Sequence, residues 1–128
     1  MKPVFFFLLC LCMIVASSCK KDDCVAGNLD TNVIGNWSVK ALNIDLGNVE
    51  FHANGTLIDP DDALIGGESG GQILDVKTFE VLSNTSLRVQ AENADHSAAI
   101  ATEYDVTSNT CDEIVITELG IDATMSRR

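Results

Sequence analysis

The chain has 128 residues, 46% of them hydrophobic and only 5% aromatic, and its net charge is −11. This length predicts one domain with a modest core. The acidity weighs against nucleic acid as a partner, since phosphates need a basic face, and against charge-driven binding to anionic lipid.

The first 18 residues have the organisation of a secretory signal peptide. Lys2 precedes about a dozen apolar residues from Val4 to Ala16, and two small residues, Ser17 and Ser18, follow. A charged start, a short apolar run and a small-residue end are typical of such leaders. The run is shorter than the roughly 20 residues that a transmembrane helix needs. We therefore predict that residues 1–18 are removed on export.

Cys19 directly follows the small residues Ser17 and Ser18, and this junction resembles the signal-peptide junction of a bacterial lipoprotein. In that family the cysteine is lipidated, with palmitate among its acyl chains, and becomes the first residue of the mature protein. Residues 20–23, Lys-Lys-Asp-Asp, are similar to the charged stretch of Bacteroidetes lipoproteins, where an acidic run is associated with export to the cell surface. The resemblance implies Cys19 as a stable, multiply acylated anchor in the outer membrane. The alternative is an ordinary signal peptide with a chance cysteine nearby.

The remaining cysteines predict one disulfide. Cys10 and Cys12 leave with the leader and Cys19 carries lipid, so Cys24 and Cys111 remain as an even pair in an oxidising compartment. Their bond closes a loop of nearly 90 residues. The sequence has no CxxC pair and no His/Cys spacing typical of zinc sites, so we predict no cofactor.

After the predicted signal peptide, a polar segment precedes a series of predicted β-strands. We predict residues 19–32 as the lipidated cysteine and a polar tether, and residues 33–128 as one β-domain. From Gly35 onward apolar and polar residues alternate with a period of two, which predicts half-buried strands. The predicted strands cover residues 36–45, 48–53, 55–59, 72–76, 78–82, 86–93, 97–107, 113–118 and 121–127.

Turn signals separate these runs and favour hairpins. Asn54-Gly55 between two alternating runs is a strong hairpin signal, and Gly47-Asn48 predicts another turn. The apolar phase slips between Val76 and Phe79, which predicts a bend or bulge. Residues 91–101 have enough helix propensity to compete with a hairpin, although the alternation continues on both sides. Evenly spaced antiparallel strands in so small a chain predict a closed up-and-down barrel or a sandwich.

Gly35-Asn36-Trp37 at the first strand, with an arginine near the end of the last, resembles the lipocalin (calycin) signature. The resemblance implies a barrel of about eight strands in which Trp37 closes one end and the arginine packs across its ring, a cation–π contact. The alternation before the C-terminus places Arg127, rather than Arg128, on the inward side. Residues 49–57 are also similar to an F-x-x-[DN]-G-T hairpin of bacterial lipocalin-like lipoproteins. The chain departs from that family in its short length, in lacking the later motifs and in showing no clear C-terminal helix.

An eight-stranded barrel has room for packed side chains or for one small ligand. The scarcity of aromatic residues favours a thin acyl chain over a flat ligand. The candidate ligand-lining positions are Val39, Phe51, Phe79, Leu87, Val89, Ile100, Tyr104, Ile114 and Met125. The alternative is a surface structural or protein-interaction module whose barrel is filled by its own side chains and holds no ligand.

Two motifs suggest chemistry and are set aside. Residues 67–71 match the G-x-S-x-G pattern of hydrolases, but they lack the buried strand and following helix which that motif needs. Asp59, Asp61, Asp62 and Glu68 lack the spacing of a calcium loop, so a solvated acidic turn within the long 59–71 loop is favoured. We predict no catalytic residue, no metal ligand and no enzymatic activity.

Overall fold

A computed structural model describes residues 24–128, so the predicted signal peptide and Cys19 lie outside the described residues. One short helix is followed by ten strands. Their bounds are α1 Leu29–Asn32, β1 Gly35–Ala41, β2 Ile44–Phe51, β3 Leu57–Ile58, β4 Glu68–Ser69, β5 Gln72–Ile73, β6 Val76–Ser83, β7 Ser86–Glu92, β8 Ala99–Asn109, β9 Glu113–Glu118 and β10 Ile121–Arg127. Between residues 24 and 128 no helix is long and apolar enough to cross a membrane.

Eight of the strands form a nearly closed antiparallel barrel. Their order is β3-β2-β1-β10-β9-β8-β7-β6, and β4 and β5 form a separate small hairpin. The first and last strands pair with each other, with Trp37 opposite Arg127. The seam between β3 and β6 is joined by a bridge between Thr56 and Thr78 and by the Phe79 amide, which donates to the Gly55 carbonyl at 2.9 Å. The predicted all-β, eight-stranded up-and-down barrel is confirmed.

The first hairpin turns earlier than predicted. β1 ends at Ala41 and β2 begins at Ile44, so the turn is Leu42–Asn43 rather than Gly47-Asn48. Both turn residues have positive φ, 50° and 64°, as a two-residue turn between twisted strands requires. Gly47 lies inside β2, next to a bulge that shifts the pairing with β1. The prediction failed because the turn contains no glycine.

The predicted hairpin over residues 86–107 is confirmed, and the competing helix does not form. β7 and β8 pair continuously from Ser86 to Glu92. The predicted strands 72–76 and 78–82 are wrong in their bounds, because β6 runs unbroken from residue 76 to residue 83. The apolar phase slips there because Lys77, and not an aliphatic residue, occupies an inward position opposite buried Ala91.

The core lies inside the barrel and extends under α1. Leu29 and Val33 are fully buried beside Trp37. Leu29 of α1, which lies within the segment predicted as a polar tether, therefore already belongs to the core. Asn28 begins this short helix by accepting a hydrogen bond from the Thr31 amide at 3.4 Å.

Candidate functional site

The barrel has two ends, and the end where the described chain begins is called here the N-terminal end. Trp37 closes this end at the start of β1, where its side chain is fully buried. Its indole nitrogen donates to the Val33 carbonyl at 2.7 Å. The ring therefore fills the barrel mouth with its one polar atom satisfied, as a buried tryptophan requires.

Arg127 covers the Trp37 ring, with its guanidinium carbon 4.1 Å from the ring centroid. Its nitrogens donate to the carbonyls of Asn32, Ile34 and Cys111 at 2.6, 3.0 and 2.7 Å. Burial lowers the pKa of this guanidinium, and the nearby Asp112 opposes that shift. One side chain thus joins the helix end, the first strand and the turn after β8.

Gly35 completes this closure. Its φ of +122° is unfavourable for other residues, and a Cβ added there would lie 2.8 Å from Nη1 of Arg127. The structure therefore brings together the three predicted closure residues, Gly35, Trp37 and Arg127. Arg128 contributes a backbone hydrogen bond to the Asn36 carbonyl at 3.1 Å.

Cys24 and Cys111 are bonded to each other at the same end, with their Cα atoms 5.7 Å apart. Asn32 supports this link, because its side-chain amide donates to the Val25 carbonyl at 2.7 Å and to the Asn109 side chain at 3.2 Å. The segment that leads into the barrel is therefore fixed to the β8–β9 turn.

The barrel interior is filled by side chains. A vacant ligand cavity would leave the side chains that line it accessible to water-sized molecules. Among the predicted ligand-lining residues, five are 0% exposed: Val39, Leu87, Val89, Ile114 and Met125. Phe51 is 1% and Tyr104 7% exposed, while Phe79 and Ile100 are partly buried. The rings of Phe51 on β2 and Phe79 on β6 meet edge to face, with their centroids 4.9 Å apart.

A loop closes the opposite, distal end of the barrel. Leu64 and Ile65 of this loop are buried in the core. Asp59, only 4% exposed, holds the loop by accepting hydrogen bonds from the amides of Ala63, Leu64 and Ile65 at 2.7, 2.9 and 3.1 Å. Three amide donors satisfy a buried carboxylate that would otherwise be costly to bury.

Lys77 of β6 holds the same loop against the barrel through hydrogen bonds. Its ammonium group donates to the Asp59 carbonyl and to the Asp62 carboxylate, both at 2.6 Å. The Lys77 hydrogen bond lowers the pKa of the Asp62 carboxyl below its ordinary value, and partial burial opposes this shift. The loop from Asp59 to Ile65, called here the closing loop, is thus held by polar contacts at its base and apolar contacts at its tip.

Tyr104 is the third attachment of the closing loop. Its hydroxyl donates to the Leu64 carbonyl at 2.5 Å. Burial, followed by the negative charges of Glu118 and Asp59, raises the pKa of Tyr104 to about 12. The phenol therefore stays a neutral hydrogen-bond donor well into the alkaline range.

This shift predicts a loss of stability at high pH. Tyr104 ionises near pH 10.0 when unfolded but near 12 when folded, so the folded state holds a proton that the unfolded state releases between these values. Its contribution is complete below pH 10.0 and disappears as pH rises through 12. We expect the urea midpoint to fall over this range, and to fall less steeply in Tyr104→Phe. Identical pH profiles for the two proteins would contradict the burial of the phenol.

Open grooves lie outside the filled interior. One of about 590 Å³ is bordered by the closing loop and β6, and one of about 390 Å³ lies at the seam beside Phe79 and Arg88. A third, of about 510 Å³, runs between the β1–β2 and β9–β10 turns. Phe79 is the one predicted ligand-lining residue that borders any of these three grooves.

The motifs that were set aside occupy ordinary structural positions. Ser69 of the G-x-S-x-G match pairs with Gln72 in the β4–β5 hairpin. Within residues 24–128 no group of three or more His, Cys, Asp or Glu side chains is placed to hold a metal ion. The interpretation of Asp59 as part of a solvated turn is wrong, because the closing loop buries its carboxylate.

Sequence reasoning missed the residues that close the distal end, namely Asp59, Leu64 and Lys77. The signal was present, because two adjacent aliphatic residues inside an acidic loop are unusual for a solvated segment. A lysine at an inward strand position also needs a buried acidic partner. Both features indicate a loop that folds back onto the barrel.

No protein-family model, no curated protein and no solved structure matches the chain. The resemblance to lipocalin-like lipoproteins therefore depends on the residues of this chain alone.

Proposed function

We propose that this protein is a non-catalytic lipoprotein of the outer-membrane surface, whose lipocalin-like barrel is a rigid interaction module filled by its own side chains. The observation that carries the proposal is the burial of seven of the nine residues predicted to line a ligand site, with Val39, Leu87 and Ile114 each 0% exposed. A ligand could enter such an interior only if these packed side chains moved apart, which is energetically costly.

The placement of the N-terminal segment supports the lipid anchor. Cys24 is tied to the N-terminal end of the barrel through Cys111. Four charged residues, 20–23, separate it from Cys19. At about 3.3–3.6 Å per residue, the five steps from Cys19 to Cys24 span at most about 18 Å. The N-terminal end would therefore stand close to the lipid headgroups, with the distal end directed away from the membrane.

The hypothesis of a bound acyl chain stays a prediction, and the closing loop weighs against it. A ligand entering at the distal end would have to displace Leu64 and Ile65 and break the contacts of Asp59 with the loop amides. Entry at the other end would displace Trp37.

The anchor is tested by Cys19→Ser. Without the thiol, no acyl chain can be attached, so we expect the variant to leave the outer-membrane fraction and appear in soluble form. Cys12→Ser, a change within the predicted leader, is the matched control and should leave membrane attachment unchanged. Retention of the Cys19→Ser protein in carbonate-washed membranes would contradict the lipoprotein proposal. Protease treatment of intact cells separately tests exposure on the outer face.

A further inference from the structure

Two neighbouring hairpins at the distal end present large aliphatic side chains to solvent. β1 and β2 are joined by Leu42–Asn43, and β9 and β10 are joined by Leu119–Gly120. Leu42 is 72% exposed and Leu119 is 96% exposed. The flanking Ile44 and Ile121 are 61% and 52% exposed. Because β1 and β10 pair, both turns lie on one side of the rim, and we call these four residues the distal patch.

Leucine is an unusual residue for the backbone conformation that both turns adopt. Leu42 and Leu119 each occupy the first turn position with φ of 50°. This left-handed conformation favours Gly, Asn or Asp and is unfavourable for a larger side chain. The same conflict between residue and backbone thus occurs in two adjacent turns. Such local strain is characteristic of binding sites, where the side chain is retained for its contacts with a partner.

Leu42 and Ile121 of the distal patch border one groove, and charged residues lie beside it. The groove between the two turns is lined by Lys40, Leu42, Asn43, Gly120, Ile121, Asp122 and Thr124. Lys40 and Asp122 line this groove, and Asp45 and Glu118 flank the two turns in sequence, so the hairpins that carry the aliphatic side chains hold three acidic residues and one lysine. The described residues 24–128 carry 17 acidic against five basic side chains. This field disfavours a second copy of the chain and an anionic lipid surface, and it attracts a basic partner.

The direction of the chain weighs against a lipid surface as the partner of the distal patch. Residues 1–23 precede Cys24, which lies at the N-terminal end, while the distal patch lies at the opposite end of the strands. On the proposed lipid anchor, the patch therefore points away from the membrane that holds the protein.

We propose that the distal patch is the docking site of this interaction module, an inference that rests on the proposed function. Its partner is a protein that presents an aliphatic cleft surrounded by lysine and arginine side chains. Leu42 and Leu119 enter the cleft as anchors, and Asp122 with its acidic neighbours meets the basic border. Both leucines lie in two-residue turns between paired strands, so little backbone entropy is lost on binding.

The test uses the full-length, acylated protein in intact cells. Leu119 is replaced by the photo-crosslinking residue benzoylphenylalanine, and Leu82, an exposed leucine of β6 away from the distal patch, receives the same residue as the control. After irradiation, we expect one discrete adduct with a different protein from position 119 and none from position 82. Mass spectrometry of the adduct should identify a partner with a basic contact face.

Two further changes are made with the crosslinker at position 119. Leu42→Asn should reduce the adduct by about fivefold or more, the loss expected for one anchor residue, while the urea midpoint of the purified protein stays equal or rises because Asn tolerates the left-handed turn. Asp122→Lys should reduce the adduct similarly. Glu113→Lys changes the net charge equally at the N-terminal end of β9 and should leave the adduct unchanged.

Several results would overturn the docking site. The first is the absence of any adduct at position 119. The others are an adduct of twice the mass of the chain, which would show a second copy, an adduct with lipid only, and a protein adduct whose yield does not change in Asp122→Lys. Protein adducts at position 82 but not at 119 would leave the interaction module intact and place its contact surface elsewhere. A ligand found bound within the barrel would instead contradict the proposed function.

Discussion

Trp37→Ala is expected to lower the free energy of unfolding by about 3–5 kcal/mol, the usual cost of removing a buried large aromatic side chain. The change empties the N-terminal mouth of the barrel, and it leaves the Val33 carbonyl without its 2.7 Å donor. Since small domains have only about 5–15 kcal/mol of stability in total, much of the barrel's margin would be lost. Urea denaturation measures the effect.

Arg127 and Arg128 provide the controls for this prediction. Arg127→Ala should cost about 2–5 kcal/mol, because stacking contributes about 0.5–2 kcal/mol and hydrogen bonds from a charged donor contribute about 1.5–3 kcal/mol. Arg128→Ala should change the midpoint little, since its structural contact is a backbone hydrogen bond to Asn36. Equal, small shifts for Trp37→Ala and Arg128→Ala would contradict the closure of the barrel by Trp37.

Loss of the disulfide is the second large effect. Cys24 and Cys111 are 87 residues apart in sequence, and closing a loop of that size restricts the unfolded chain by about 4–5 kcal/mol in the chain-entropy account. We expect the variant with both Cys24→Ser and Cys111→Ser to lose up to this amount. Thiol labelling of the unfolded, unreduced wild-type protein should find both cysteines blocked.

The matched control for the disulfide is the wild-type protein with and without reductant. If the disulfide is the cause, the reduced wild type and the double serine variant should have nearly equal urea midpoints. Two reactive thiols in exported protein, or no change in midpoint on reduction, would contradict the link between the N-terminal segment and the β8–β9 turn.

Residue patterns within short stretches of the sequence predicted most of the strands and one of the hairpins. Period-two alternation predicted most strands, and Asn54-Gly55 marked the hairpin between β2 and β3. The pairing of Trp37 with Arg127 spans 90 residues, and the sequence revealed it through the resemblance of Gly35-Asn36-Trp37 and the terminal arginine to a known signature.

The rest depends on contacts or backbone conformations that carry no local signal. Tyr104 and Leu64 lie 40 residues apart, and their hydrogen bond closes the distal end. The turn at Leu42–Asn43 was missed because leucine rarely adopts positive φ. The close packing of most inward side chains was also beyond the sequence, since alternation indicates which side chains point inward but not whether they leave space between them.

Native mass spectrometry of the protein extracted from cell membranes distinguishes a barrel filled by its own side chains from one that holds a ligand. We expect a polypeptide of residues 19–128 with acyl chains on Cys19, two hydrogens fewer than the reduced form, and the same mass under native and denaturing conditions. A native mass that exceeds the denatured mass by a small hydrophobic molecule would show that the barrel holds a ligand, and would contradict a barrel filled by its own side chains.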